Sequence, residues 1–586
     1  MVTMLIRRLA VRNNHCFPQY KSAQYTQQIL SRTKVSWSNK HHHGHQLPVL
    51  SGQGRWNGTA AVSSSERREH RRSNSKQQQQ QQQQHQQRRR RQRQQILPNK
   101  DNKILFQSLG CPRNFVDTEV MLGVVLQAGM EVTQSVEDAD YLVINTCGFL
   151  QAARDESKAT IQQLLQEKKK SAKLLVTGCM VNLHKEQIMQ DYPQVDHVLG
   201  SGSIDKVLQA IQSLNQQPLV DATMSISEAR KSFLEQADTP RFLATPPHYA
   251  YLKIAEGCRK RCSFCIIPKI KGRLQSKPIS QIIQEFQALV HHGVSEVILI
   301  AQDLGDYGKD FLRPASLNGI SNSNNNIGYL TSSSNIHKKR SELATLLRSI
   351  LEMEGLPKDF WLRLLYLYPD EITPDILDVM ESDSRICRYL DMPIQHSHDV
   401  ILKAMRRKTT SDDIRQTIQT IRQRLPGIHI RTSLMVGFPG ETEEHFQHMI
   451  DFVVEYELDN VGVFQYSNEE MAFSSRLPNH VPEDVKEDRY HRLMQAQLEV
   501  VQRKNKKRVD GQERLEVVIE GMHPDHKDLI VGRYYGQCPD IDGQVIINDV
   551  DALGKLPNPG QRYWVELTDF DNYDLIGRII APTKSL

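Results

Sequence analysis

The sequence predicts an α/β protein in three parts: a parallel α/β domain, a partial (β/α)6 barrel and a C-terminal OB-like β-barrel. Three observations predict it. Between residues 103 and 191, continuous apolar runs alternate with helical segments, the pattern of a parallel sheet buried on both faces. From Tyr249 a strand–helix unit recurs six times. Beyond residue 510, five short alternating strands succeed one another with turns between them.

The first hundred residues stand apart. They hold 19 Lys/Arg against two acids, Glu66 and Glu69, a net of +17, so the remaining 486 residues sum to −11 although the whole chain is +6. Residues 1–65 contain no acid, and "MLIRRLAVR" can form a short basic amphipathic helix. Ser, Thr, Gln and Arg dominate the residues after it, a composition that reads as an organellar transit peptide. The eight-glutamine tract at 77–84 and "RRRRQRQQ" lack the apolar content to pack and are expected to be disordered. The rival reading of the arginine run is a nucleic-acid tether. The expected placement is therefore soluble in an organelle, mitochondrion or plastid, or cytoplasmic if the leader is not a transit peptide. No apolar run approaches the roughly 20 residues of a bilayer span, so no membrane partner is expected.

In the first domain the apolar runs "KILFQSLGC", "DYLVINTCGF" and "KLLVTGCM" end at Cys111, Cys147 and Cys179. Loops at the carboxyl ends of parallel strands share one rim, so the three can converge across separations of 36 and 32 residues. Buried cysteine also packs well as a small apolar residue. Three of three, each beside a glycine (Gly110, Gly148, Gly178), favours a metal site.

The central barrel opens with "EGCRKRCSFCIIP", in which Cys258, Cys262 and Cys265 are spaced C-x3-C-x2-C after the first strand. In β/α repeats that loop lies at the active end. A structural zinc site closes four ligands, and a catalytic zinc takes histidines and a carboxylate. Three thiolates at this spacing instead suit an iron–sulfur cube with one iron left free. Two later loops end strands with small or polar groups: "AQDLGDYG" at 301–308 and "GFPGETEEHF" at 437–446. The second is equally a tight turn before a helix whose acids favour its N-terminus. Cys387, just before strand four, reads as packing, Cys16 lies in the leader, and Cys538 sits in a loop without a partner. The nine cysteines are odd in number and widely spaced, which argues against a disulfide framework.

The C-terminal strands form a barrel of a class that often binds RNA, yet residues 510–586 hold 14 acids and 7 Lys/Arg. Phosphate recognition wants the opposite sign, so RNA is disfavoured and a basic protein partner is expected.

The C-x3-C-x2-C loop, with Phe264 before its last cysteine, resembles the radical S-adenosylmethionine enzymes. The domain order, covering about residues 102–582, is similar to that of the methylthiotransferases. "SLGCPRNFVDTEVMLG", "INTCGFLQAARDES", "RLLYLYPDEIT", "GVFQYSNEE" and "GRYYGQCPDIDG" resemble the RimO type, which acts on an aspartate β-carbon of small-subunit ribosomal protein S-twelve. The transfer-RNA type, MiaB, differs at "YSNEE" and lacks the "PDIDG" element. "EEMAFSSRLP" departs from the family in lacking Gly-Thr after the two glutamates, and Cys538 stands where alanine is expected.

The resemblance implies two [4Fe-4S] clusters and S-adenosyl-L-methionine as cofactors, with a TRAM-type C-terminal barrel. Cys111, Cys147 and Cys179 would hold the auxiliary cluster; Cys258, Cys262 and Cys265 would hold the radical-generating one, whose free iron takes S-adenosylmethionine. Phe264, Gln302, Asp303, Gly437 and Gly440 would line the S-adenosylmethionine pocket, and no acid–base residue beyond the cluster ligands is expected. Partners would be the basic protein S-twelve and an electron donor. The rival functions are the same chemistry on transfer RNA and a metal-binding ribosome-associated scaffold without turnover. The expected domains are 1–100 (leader), 101–215 (N-terminal), 216–247 (linker), 248–482 (central barrel, with a low-complexity insertion at 314–340), 483–508 (connecting helix) and 509–582 (C-terminal barrel).

Overall fold

The computed structural model describes residues 102–214, 239–311 and 341–583. The leader, most of the expected linker and the low-complexity insertion lie outside the described residues.

The first sheet is parallel, in the order β2-β1-β3-β4-β5: β1 (Lys103–Ser108), β2 (Glu131–Val132), β3 (Tyr141–Thr146), β4 (Lys173–Gly178) and β5 (His197–Gly200). Sequence patterning finds β1, β3 and β4 but not the two- and four-residue β2 and β5, which carry too little periodicity to see. Helices α1 (Pro112–Gln127) and α4 (Val207–Ser213) pack on the face presenting Ile104, Val143 and Leu175. Helices α2 (Gln151–Glu167) and α3 (Cys179–Asp191) cover the other, presenting Leu105, Leu142 and Val176. Alternate residues of each strand therefore feed two cores.

The central sheet runs in chain order: β6 (Tyr249–Lys253), β9 (Glu296–Ile300), β10 (Trp361–Leu364), β11 (Ile386–Asp391), β12 (His429–Val436) and β13 (Asn460–Gln465), all parallel. A short antiparallel ladder of β7 (Ala255–Glu256) and β8 (Gln275–Ser276) flanks the cysteine loop. Residues 250, 252, 297, 299, 362 and 364 point outward to the helices. Tyr251, Ile298, Ile300, Leu365 and Tyr389 point inward. That interior is filled from two sides, by Phe115 and Val116 of α1 and by Val518, Cys538 and Ile541 of the C-terminal barrel. Cys387 lies within β11 rather than before it, and both it and Cys538 are buried in this interior core.

The C-terminal strands β14 (Arg514–Met522), β15 (Ile530–Tyr534), β16 (Val545–Asp549), β17 (Arg562–Asp571) and β18 (Asp574–Pro582) close into a barrel. It docks at the amino ends of the central strands. Tyr249 Oη donates to Asp540 (2.8 Å), Tyr389 Oη donates to Asp542 (2.7 Å), and Arg533 pairs with Glu296 (2.8 Å). The "PDIDG" acids thus face inward. The end of the expected linker is built in as well: Arg241 pairs with Glu119 of α1 at 2.6 Å, and the amide of Phe242 donates to the Glu119 carbonyl.

Candidate active site

The first cysteine trio sits at the carboxyl ends of three adjacent strands. Registers Ser108↔Asn145 and Thr146↔Gly178 bring the tips of β1, β3 and β4 side by side. Cys111 is the N-cap of α1, with Pro112 opening the helix, and Cys179 is the first residue of α3. The glycines make the convergence sterically feasible. A Cβ on Gly110 would lie 2.9 Å from Cys147 Cβ, and one on Gly148 would meet the Met180 backbone at 2.7 Å. Asn114, buried, stitches the loops by donating to the carbonyls of Leu109 (2.7 Å) and Thr146 (3.2 Å).

The second trio lies just beyond β6. The amides of Lys260 and Ile267 donate to Cys258 Sγ (3.4 Å) and Cys265 Sγ (3.5 Å), and Arg407 Nη1 donates to Cys262 Sγ (3.7 Å). Ser263 fastens the loop: its amide donates to the Met405 carbonyl (3.0 Å) and its hydroxyl to the Ala404 carbonyl (2.8 Å). Phe264 packs against Ile401, Met405 and Phe438.

Between the trios lies a buried charge network. Lys253 pairs with Asp117 and with Glu256 (2.8 Å), Lys271 pairs with Asp117 (3.3 Å) and Glu256 (3.6 Å), and Gln302 Nε2 donates to Glu256 (2.8 Å). Arg113 Nη1 donates to the Ala301 carbonyl (2.7 Å), joining α1 to the end of β9, and lies over the Tyr366 ring at 5.0 Å. Tyr366 and Gln395 hold positive φ (63° and 73°) beyond the ends of β10 and β11. For non-glycine residues that strain is commonest at functional sites.

Burial pushes the Cys147 and Cys265 thiols up to about 12 and Cys179 and Cys258 up to about 11. Burial also raises Cys111, but Arg113, local amides and Lys271 outweigh it and bring that thiol below its usual value. Of the other candidates, Asp303 is buried, accepts from the Gly305 amide (3.1 Å) and faces Lys260 (3.3 Å). Burial and neighbouring Asp306 push its carboxyl up to about 7. Gly437 (φ 73°) donates its amide to Glu441 (2.9 Å), and a Cβ there would collide with Lys486. Gly440 (φ 85°) donates to the Asn479 carbonyl (2.8 Å) and faces open space.

The donor sets fit clusters rather than single ions. A tetrahedral zinc–thiolate site holds its sulfurs about 3.8 Å apart. Among the described residues, only Asp303, Asp306 and Glu371 bring three ligand atoms within 4.8 Å of one another, and Arg259, Lys260 and Lys309 already neutralise that group. Neither cysteine trio closes to that spacing. The amides and Arg407 aimed at sulfur are the donors that thiolate ligands need.

Residues 103–200 match the Uncharacterized protein family UPF0004, 252–453 the Radical SAM superfamily and 512–580 the TRAM domain. Fold and site thus define a radical S-adenosylmethionine methylthiotransferase, which binds iron–sulfur clusters and S-adenosylmethionine. The chain is 52% identical over 485 residues to the ribosomal protein uS12 methylthiotransferase RimO of Protochlamydia amoebophila, covering 82% of this chain and 93% of the relative. It is 47% identical to the RimO of Chlamydia felis (82% and 95% covered) and 37% identical to that of Bdellovibrio bacteriovorus (83% and 99%). The chain belongs to the RimO family. These relatives are bacterial, which corrects the organellar placement read from the leader; that segment itself lies outside the described residues.

The buried network of Asp117, Lys253, Glu256 and Lys271, together with Arg113, escapes sequence reading. Its members come from α1, β6, β7 and α5 (Ile267–Lys271), and no local spacing links them. Arg113 and Asp117, two and six residues beyond Cys111 at the start of a helix, were the available signal.

Proposed function

We propose that the protein transfers a methylthio group to the β-carbon of an aspartate in small-subunit ribosomal protein S-twelve. The observation that carries this is the pair of cysteine trios meeting across one buried network at the carboxyl ends of two parallel sheets. The name shared by its relatives supplies the substrate. Cys111, Cys147 and Cys179 hold the auxiliary [4Fe-4S] cluster, and Cys258, Cys262 and Cys265 hold the second. When bound, the cofactors supply the sulfur and the one-electron chemistry that opens an unactivated C–H bond, with electrons from an external donor. Phe264, Gln302, Asp303 and Gly440 border S-adenosylmethionine in this reading, and Gly437 shapes the turn behind it. The packed interior, filled by α1 and, from the amino ends of the strands, by the C-terminal barrel, forms a dry floor beneath the reacting centre. We adopt 101–215, 248–482 and 509–582 as the functional domains.

The test is mass spectrometry of ribosomal proteins from cells with and without the gene. Loss of a methylthio mass from an S-twelve aspartate is expected. An unchanged S-twelve alongside loss of methylthio-adenosine from transfer RNA would overturn the protein-substrate reading.

A further inference from the structure

Among the described residues, most of the cations around the trios are neutralised or tied down. Lys253 and Lys271 share Asp117 and Glu256, Lys260 serves Asp303, Asp370 and Glu371, and Arg431 pairs with Asp391 (3.0 Å). Arg407 is committed to Cys262 Sγ, the Pro393 carbonyl (2.8 Å) and the Tyr368 ring (4.1 Å). Arg113 differs. Among the described residues no carboxylate lies within ion-pair distance of it; the Ala301 carbonyl takes one N–H and the Tyr366 ring takes one face. As a residue Arg113 is half-buried, and among the described residues its guanidinium makes no hydrogen bond other than that to Ala301.

Its place is equally particular. Arg113 stands two residues beyond Cys111, and its charge acts on Cys111 and Cys179 of one trio and on Cys265 of the other. The Ala301 carbonyl that anchors it immediately precedes Gln302 and Asp303. A guanidinium fork fixed on one side and open on the other is a receptor for a planar anion. A methylthio acceptor carbon must lie between the sulfur-carrying and radical-generating centres, and Arg113 links them in the fold, two residues beyond Cys111 and bonded to the carbonyl just before Gln302.

We infer that Arg113 is the binding site for the carboxylate of the substrate's acidic side chain, setting the carbon next to that carboxylate between the two trios. This rests on the substrate reading above and adds the group that selects an acid over an amide or a nucleobase. Lysine at this position would keep the charge and lose the fork; methionine would lose both.

The test uses the reconstituted full chain and peptides spanning the target aspartate of S-twelve, with Asp, Asn or Ala at that position. Affinity is measured by anisotropy, and iron content verifies that both trios remain loaded. For wild type, the Asp peptide should bind roughly tenfold to a hundredfold more tightly than the Asn peptide, the range for a charged hydrogen bond. Arg113→Met should bring that ratio to within about twofold, and Arg113→Lys should fall between. A wild type that binds Asp and Asn peptides equally overturns the inference, whatever the variants do. So does an Arg113→Met enzyme that is loaded and keeps the preference. Methylthiolation of the Asp peptide, read separately by mass, decides the substrate reading, so the two failures are distinguishable.

Discussion

Glu469 of "YSNEE" ties the two halves of the site together, and removing it should loosen the first domain where Cys147 is held. Its side chain is 4% exposed. Glu469 Oε1 accepts from the Gln151 amide at 3.0 Å and from Ser467 Oγ at 2.8 Å, while Oε2 pairs with Arg154 at 2.7 Å. Helix α2 has Leu150 as its N-cap residue, which cannot cap, so a carboxylate 318 residues away does the capping. The same loop touches the second trio, since the Ser474 amide donates to the Ser263 carbonyl (2.8 Å) and Lys269 Nζ donates to the Met471 carbonyl (2.8 Å). Breaking a buried ion pair from one side costs about 3–5 kcal/mol, and losing a cap about 1 kcal/mol. Arg154 keeps two acceptors, Gln151 Oε1 and the Gly148 carbonyl, and 12% of its surface meets solvent, which reduces the loss. A net of about 2–4 kcal/mol is expected for Glu469→Ala. If local opening of the α2 N-terminus governs exchange, amides in a 148–160 peptide should exchange roughly 30- to 700-fold faster than in wild type. Glu469→Gln, which retains an acceptor for Gln151, should show a smaller change. Protection within about threefold of wild type in Glu469→Ala would refute the idea that this carboxylate joins the halves.

Gly148→Ala should cost about 1–3 kcal/mol by driving a methyl into the Met180 backbone, and iron analysis should find the auxiliary half of the metal lost. His429, whose Nε2 lies 2.7 Å from Tyr534 Oη, is held by burial at about 4 against an ordinary 6.5. The unfolded chain therefore binds the extra proton between those values. This histidine's contribution is complete above pH 6.5 and is lost as pH falls toward 4. Between pH 7 and 5, wild type should lose about 2 kcal/mol more stability than His429→Phe, measured by unfolding at both pH values.

The cysteine loops were legible because strand-end position and glycine neighbours are local signals. A parallel sheet then does the converging, as the β1–β3–β4 registers show. The charge of the C-terminal barrel was legible only in part. Composition counts acids without giving their direction, and Glu520, Asp540 and Asp542 are turned toward the central barrel, where they meet His248, Tyr249 and Tyr389. Likewise Cys538, which reads as a partnerless loop cysteine, is buried in the interior core. The Lys253–Asp117–Lys271–Glu256 network and the Glu469 cap were invisible for one reason. They join residues from different domains, and neither periodicity nor spacing encodes a contact between them.

In the proposed reaction the two trios hold two clusters that do different work. This division is tested most directly by comparing Cys147→Ala with Cys262→Ala after anaerobic reconstitution, with S-adenosylmethionine cleavage and methylthio transfer measured in the same reaction. Cys262→Ala should cleave nothing, whereas Cys147→Ala should cleave S-adenosylmethionine yet transfer no sulfur. A Cys147→Ala enzyme that still makes the methylthio product would contradict it.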